Sequence, residues 1–368
     1  MTVPPTVTVP AGPATAPRVS VLVPCYNLGA FLDEAVDSVL AQTCQDFEIL
    51  IVDDGSTDPA TVRLLDGYDR PRTTVYRTPN QGLAAARNFL IARARGKFLC
   101  ALDADDKLHP QYLERTLATL EHDPSLGFAS TKMQMFGLET RVWPEDTRCD
   151  LATLLCHDPV HPAALVRRSA VLAVGGYDQE MPHQGNEDWD LWIGLIEAGY
   201  GGVILDEVLF FYRRRENSMI STCARGDAQL QAVAYLMRKH AASYGAHESV
   251  VAQWKDAAAS AVERRNAVLE ASVSATSATV ARRRRELEVL RQRLNGADPG
   301  AAPVVDDNVA SLQAALRERS ASLAIADEAR RAAAADAAAL RASLSWQVTA
   351  PLRAIYDAWR AAVGSRHR

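Results

Sequence analysis

The chain has 368 residues, of which 48% are hydrophobic and 23% charged, with a formal net charge of −5. That is room for one large domain with appendages or for two domains, and it offers no overall attraction to nucleic acid, so any phosphate must be bound locally. The six cysteines form no C-x-x-C pair and no zinc spacing, and no stretch approaches the ~18 apolar residues of a membrane span, which points to reduced thiols in a cytosolic protein.

Residues 1–17, rich in Thr, Val, Pro and Ala, lack the basic start and long apolar core of a secretory signal and read as a disordered leader. The pattern then alternates. Residues 19–23 are a buried strand, and residues 31–40 place Leu32, Ala35, Val36, Val39 and Leu40 at helical spacing. A second strand covers 47–52. A short helix covers 59–65, with Asp58 as N-cap and Pro59 in the first helical position. A strand at 73–76, a helix at 83–94 and a strand at 97–102 complete the regular part. This rhythm means an α/β fold, a mostly parallel sheet with helices on both faces. Farther on come a helix near 110–121, a strand near 127–130, a helix from Glu187 and a short strand at 202–205.

After about residue 226 the composition turns to Ala, Arg, Glu, Gln and Ser. Leu287, Leu290 and Leu294, and again Val309, Leu312 and Leu316, fall three or four apart, so two long helices are expected on either side of a Pro-containing linker at 296–307. They are either a coiled coil, through which copies of the chain would form a homo-oligomer, or helices packed on the preceding domain. Residues 343–359 carry Trp346, Leu352, Ile355, Tyr356 and Trp359 beside Arg353 and Arg360. Such a segment either lies on a membrane surface or docks on protein.

Three acidic clusters need a reason: Asp53-Asp54, Asp103/Asp105/Asp106 and Glu187-Asp188. Adjacent carboxylates repel, and burying them is costly. The first two clusters end strands, and open α/β sheets bind ligands beyond the carboxyl ends of their strands. The D-x-D at 103–105 offers oxygen ligands to a hard divalent cation.

In order and spacing, Val23-Pro-Cys-Tyr-Asn27, Val52-Asp-Asp-Gly-Ser-Thr-Asp58, Asn80-Gln-Gly-Leu-Ala-Ala-Ala-Arg-Asn88, Leu102-Asp-Ala-Asp-Asp106 and Gly175-Gly-Tyr-Asp178 followed by Asn186-Glu-Asp-Trp-Asp-Leu-Trp192 resemble the family 2 glycosyltransferases. The resemblance implies a GT-A fold over 18–225; beyond it, composition and spacing give a helical extension 226–295, a linker 296–307 and a C-terminal helical region 308–368. It implies an inverting transfer of a sugar from a UDP- or dTDP-sugar to a hydroxyl of a glycan or lipid-linked saccharide. Pro24, Tyr26, Asn27, Asp53, Asp54, Arg87, Asp103 and Ala104 would line the nucleotide site, Tyr26 by stacking and Asp54 by accepting from the base. Arg87 would compensate diphosphate charge or form a salt bridge to Asp103 or Asp53. Asp105, then Asp106, would hold Mn²⁺ or Mg²⁺. Asp188, with Glu187 as fallback, would be the general base; His183 and Trp189 would face the acceptor.

One departure stands out. Arg215 occupies the place of a family His that contacts metal or diphosphate. A guanidinium cannot ligate a metal but grips phosphate, so Arg213 and Arg215 are expected to hold the diphosphate. The tail at 343–353 is similar to segments of bacterial surface-polysaccharide enzymes, which favours cell-envelope glycans and a peripheral place on the inner membrane face. Two other readings compete. A nucleotidyltransferase would need a Gly-rich basic loop after the first strand, which Pro24-Cys-Tyr-Asn-Leu-Gly29 does not supply. A degenerate scaffold acting through its helices would not need Asp54, Asp105 and Asp188 intact.

Overall fold

The computed structural model describes residues 16–183, 185–215 and 228–295 and, beyond them, 314, 317–320, 323–324 and 331. The leader up to residue 15, the linker at 296–307 and the aromatic tail at 343–359 lie outside the described residues. The chain divides into two units, residues 1–252 and 253–368. The carboxylate clusters all belong to the first.

The first half builds as the alternation requires. Strand β1 (Val19–Cys25) is buried along its whole length, as is β2 (Phe47–Asp54). That is the mark of strands covered on both faces. Helix α1 (Gly29–Leu40) buries Leu32, Ala35, Val36 and Val39, one stripe at helical spacing. Helix α2 (Pro59–Asp66) begins where expected: the Asp58 carboxylate accepts from the Thr61 amide, and Pro59 opens the first turn. Strand β3 (Thr73–Thr78), helix α3 (Leu83–Ile91) and strand β4 (Phe98–Ala101) follow.

The second half is richer than the sequence suggests. It holds β5 (Lys107–Leu108), α4 (Tyr112–His122), β6 (Leu126–Gly137), β7 (Val142–Trp143), α5 (Leu151–Cys156), β8 (Leu165–Arg167), α6 (Arg168–Ala173), α7 (Glu187–Glu197) and β9 (Gly201–Arg214). The expected short strands near 127 and 202 are the ends of long ones, β6 and β9, which pair in parallel. All nine strands join one sheet in the order β3-β2-β1-β4-β8-β6-β9-β5, with β7 on β6. The run β3-β2-β1-β4 is parallel. At β8 the direction reverses, because β8 is antiparallel to both β4 and β6. The carboxyl ends of β1, β2 and β4 therefore share one rim, and each carries one of the sequence clusters.

Three helices follow: α8 (Ala228–Lys239), α9 (Ala241–Ala246) and α10 (Glu248–Asn295). The first two lie in the first unit, and α10 continues into the second, where Val280 and Leu287 are buried. No helix among the described residues is long and apolar enough to cross a membrane.

Candidate active site

The rim is knitted together by short polar side chains. Asn27, just past β1, takes a left-handed backbone (φ 55°), which Asn tolerates better than most residues. Its Oδ1 accepts from the amides of Thr57 and Asp58 at 2.8 Å each, and its Nδ2 donates to Thr57 Oγ1. Asp53 accepts from the Ser56 amide at 2.9 Å. Asp54 accepts from Thr78 Oγ1 at 3.1 Å and from the amides of Gln81 and Gly82 at 3.0 and 2.9 Å. A carboxylate has about four acceptor positions, so Asp54 clasps the loop into α3 and keeps roughly one for anything else. Gly55 turns the chain beneath it at φ 72°, where an added Cβ would lie 2.5 Å from the Asn80 nitrogen. Tyr26 is 45% exposed, a free aromatic face beside this loop. Pro24 and Ala104 are sealed in the core.

At the end of β4 the carboxylates are partnered differently. Asp103 accepts from Arg87 Nη2 at 2.8 Å. Asp105 meets the Arg215 guanidinium, with Nη2 2.6 Å and Nε 2.8 Å from Oδ2. Burial and the neighbouring Asp103 push Asp105 up from the usual carboxylate range, and Arg215 pulls it back. Asp106 accepts from the Arg213 amide through Oδ1 at 2.8 Å, while its Oδ2 is buried without a hydrogen-bond partner. The Arg213 guanidinium is taken up by Glu34 and the Asp105 carbonyl.

Arg87 takes the salt-bridge role of the two expected for it. Its side chain is 1% exposed. It is a strut: one arm reaches Asp103 on the rim, and the other reaches Glu187 at 2.6 Å at the start of α7. Its guanidinium carbon lies 5.1 Å from the centre of the Tyr177 ring. Of the two salt-bridge partners named from sequence, Asp103 is the one it takes, and Glu187 is an addition. Glu187 also accepts from the Gly185 amide at 2.6 Å.

Asp188 follows Glu187 and is only partly exposed. Burial first, then the charge of Glu187, pushes its carboxyl up to about 7, against the pull of Arg87. A carboxylate poised near neutrality is what a general base needs. A second carboxylate, Asp158, lies near it after α5, raised by burial and by the charge of Asp188. Nothing in the sequence flagged Asp158, a lone Asp in an irregular loop. Trp189 is buried and donates from Nε1 to the Leu154 carbonyl at 2.6 Å, bolting α7 to α5. His183 bonds Gln231 of α8 at 3.0 Å. His161 is a core residue, stacked on Phe210 at 4.2 Å and pushed down to about 3 by burial.

Among the described residues no group of three or more His, Cys, Asp or Glu side chains is arranged to hold a metal. What the rim offers a cation is the hard oxygens of Asp105 and its neighbour Asp106, one of whose buried oxygens lacks a partner. That suits an ion that keeps several waters and completes its shell with substrate oxygens, as Mg²⁺ does.

A parallel sheet that switches direction beside an acidic rim, flanked by a helix that opens on two carboxylates, has the architecture of the GT-A glycosyltransferases. The description of glycosyl transferase family 2 matches residues 20–174. EpsE of Bacillus subtilis, named as a glycosyltransferase, is 32% identical over 216 residues, 55% of this chain and 75% of that protein. TuaG of the same organism, named for teichuronic acid biosynthesis, is 31% identical over 215 residues, 56% of this chain and 82% of that one. Among solved structures, TarS residues 1–349 of S. aureus with UDP-GlcNAc shares the fold at a TM-score of 0.54 and 20% identity, covering 64% of this chain and 71% of that one. The chain belongs to glycosyl transferase family 2.

Proposed function

We propose that this glycosyltransferase moves a sugar, with inversion, from a UDP- or dTDP-sugar to a hydroxyl of a cell-surface glycan or its lipid-linked precursor. The observation that carries the reading is the Arg87 strut, which ties the rim carboxylate Asp103 to Glu187, the residue beside Asp188. That link supports a site in which nucleotide end and base work together. Tyr26 supplies a face for the nucleobase, and Asp54 offers the acceptor position that its three protein donors leave. Asp188 takes the proton of the acceptor hydroxyl as that oxygen bonds to the anomeric carbon. The bond from that carbon to the diphosphate breaks, and the electron pair leaves with the diphosphate. One displacement by one base inverts the centre. Asp105 and Asp106 would hold Mn²⁺ or Mg²⁺, which when bound neutralises charge on the departing diphosphate. The TarS complex with UDP-GlcNAc supports a UDP-sugar, and the name of TuaG supports an envelope glycan.

Arg215 gives this reading its own test. The Arg215 guanidinium holds Asp105 Oδ2 at the rim, and a guanidinium beside that carboxylate is the group on the rim suited to grip a diphosphate oxygen. Charge-assisted hydrogen bonds contribute about 1.5–3 kcal/mol, so Arg215→Ala is expected to weaken UDP binding in Mn²⁺ by roughly 10–100-fold. Calorimetry with UDP, with Mn²⁺ and with EDTA, measures it. Wild-type chain whose melting temperature ignores both UDP and dTDP under both conditions would instead be a scaffold acting through its helices.

A further inference from the structure

The helices that follow the catalytic sheet make a dense set of charged contacts to the acceptor side. Lys239, at the end of α8, places its ammonium 2.6 Å from Asp178 Oδ2 and 2.8 Å from Asp190 Oδ2. Asp178 closes the Gly-Gly-Tyr-Asp turn whose Tyr177 lies on Arg87; Asp190 sits two residues beyond Asp188 on α7. Tyr235 donates to the same Asp178 oxygen at 2.9 Å. His240, next in the chain, faces Asp190 Oδ1 with Nε2 at 3.0 Å and Glu197 Oε2 with Nδ1 at 2.8 Å. Both ring nitrogens meet carboxylates, an arrangement only the doubly protonated ring satisfies. Ser243 Oγ donates to the other oxygen of Glu197 at 2.6 Å. Asp190 and His240 are both buried.

We propose that Lys239 and His240 are positioning residues for the transfer reaction, holding both ends of the 178–190 stretch so that Asp188 stays enclosed beside the donor rim. The inference rests on Asp188 being the base. A cluster built only for stability would need no shared contact, whereas Lys239 joins two carboxylates on either side of Asp188 through one atom. His240 adds two bonds along α7, at Asp190 and Glu197, which fix the rotation of the helix. A buried charge left without its partner is strongly destabilising, so Asp190 holds these cations firmly.

The groups facing Asp188 are Glu187 on its own helix, Asp158 after α5, Asp103 after β4, Arg87 on α3 and Tyr177. If α7 loosens, water reaches Asp188 and its titration moves toward that of an ordinary carboxylate. The test uses the full chain, with UDP release from UDP-GlcNAc and UDP-glucose followed between pH 5 and 9, alongside UDP calorimetry. Lys239→Met is expected to move the rising limb of the rate toward acid by about one unit. UDP affinity should stay within about twofold, and Lys239→Arg should restore the limb. A limb fixed at its wild-type position in Lys239→Met, or UDP affinity that falls along with the rate, overturns the proposal. Amide exchange supplies a readout independent of turnover: residues 185–188 should exchange at least ~10-fold faster in Lys239→Met while β1 and β2 are unchanged. Uniform acceleration would mark a merely structural role. Should Lys239→Met not fold, Tyr235→Phe, which removes one bond to Asp178, must show the same local acceleration or the proposal fails. Wild-type chain that neither binds UDP nor releases it defeats the UDP-sugar reading instead, and the exchange result still decides the clamp.

Discussion

Asp188→Asn is expected to lower the transfer rate by about 10²–10⁴-fold, the usual contribution of a positioned general base, with UDP affinity unchanged. Asn has the shape of Asp but cannot take a proton from the acceptor. The pH dependence is the sharper measurement. A general base works only when ionised, and the Asp188 carboxyl is pushed up to about 7. The wild-type rate should therefore rise through about pH 7 and level above it, and the rise should vanish in Asp188→Asn. Stability should run the other way. The folded-state value lies above that of an unfolded Asp, so the stability tied to the protonated form is complete below the unfolded value and is lost as pH rises through about 7. The variant carries no such charge. At pH 8 it should melt above the wild type, by about 2–4 °C for each ~1 kcal/mol recovered. An inactive variant that melts lower would mean that Asp188 supports the structure and another group takes the proton.

The rim was legible in the sequence because its signal is local. An apolar run ending in carboxylates reads as a buried strand that delivers them to a sheet edge, and Asp53, Asp54 and Asp103 all lie where that argument puts them. Asp58 was legible as a cap for the same reason, since its partner is three residues away. The long strand β9 was not. Asp206-Glu207 looks like its end, yet the register against β6 jumps from Thr131–Leu205 to Lys132–Val208, so the acidic pair is bulged out and the strand continues. Lys132 pairs with Asp206 at that bulge. Long-range partnerships were hidden altogether. Nothing near Arg87 shows that it will meet Glu187, a hundred residues on, and Lys239 and His240 lie past residue 225, where the domain was expected to end. Asp158 has no periodicity around it at all; only the packing of α5 against α7 brings it to Asp188.

Arg87→Met is expected to be the most destabilising of these substitutions. It leaves Glu187, almost wholly buried, without its counter-charge, and breaking such a pair by removing one partner costs about 3–5 kcal/mol. A fall in melting temperature on the order of 10 °C follows. Lysine should not rescue it, because one ammonium cannot reproduce two bonds at fixed separation to Asp103 and Glu187. Pairing Arg87→Met with Glu187→Gln should recover much of the loss, since the double variant buries no unpaired charge. Its activity should stay low all the same: without the strut, the ion pair that ties Asp103 on the rim to the helix carrying Asp188 is gone. The double-variant cycle thus separates two jobs that the single substitution confounds. Full stability with full activity in the double variant would make the strut dispensable, and a single variant that melts normally but binds UDP weakly would place Arg87 on the donor after all.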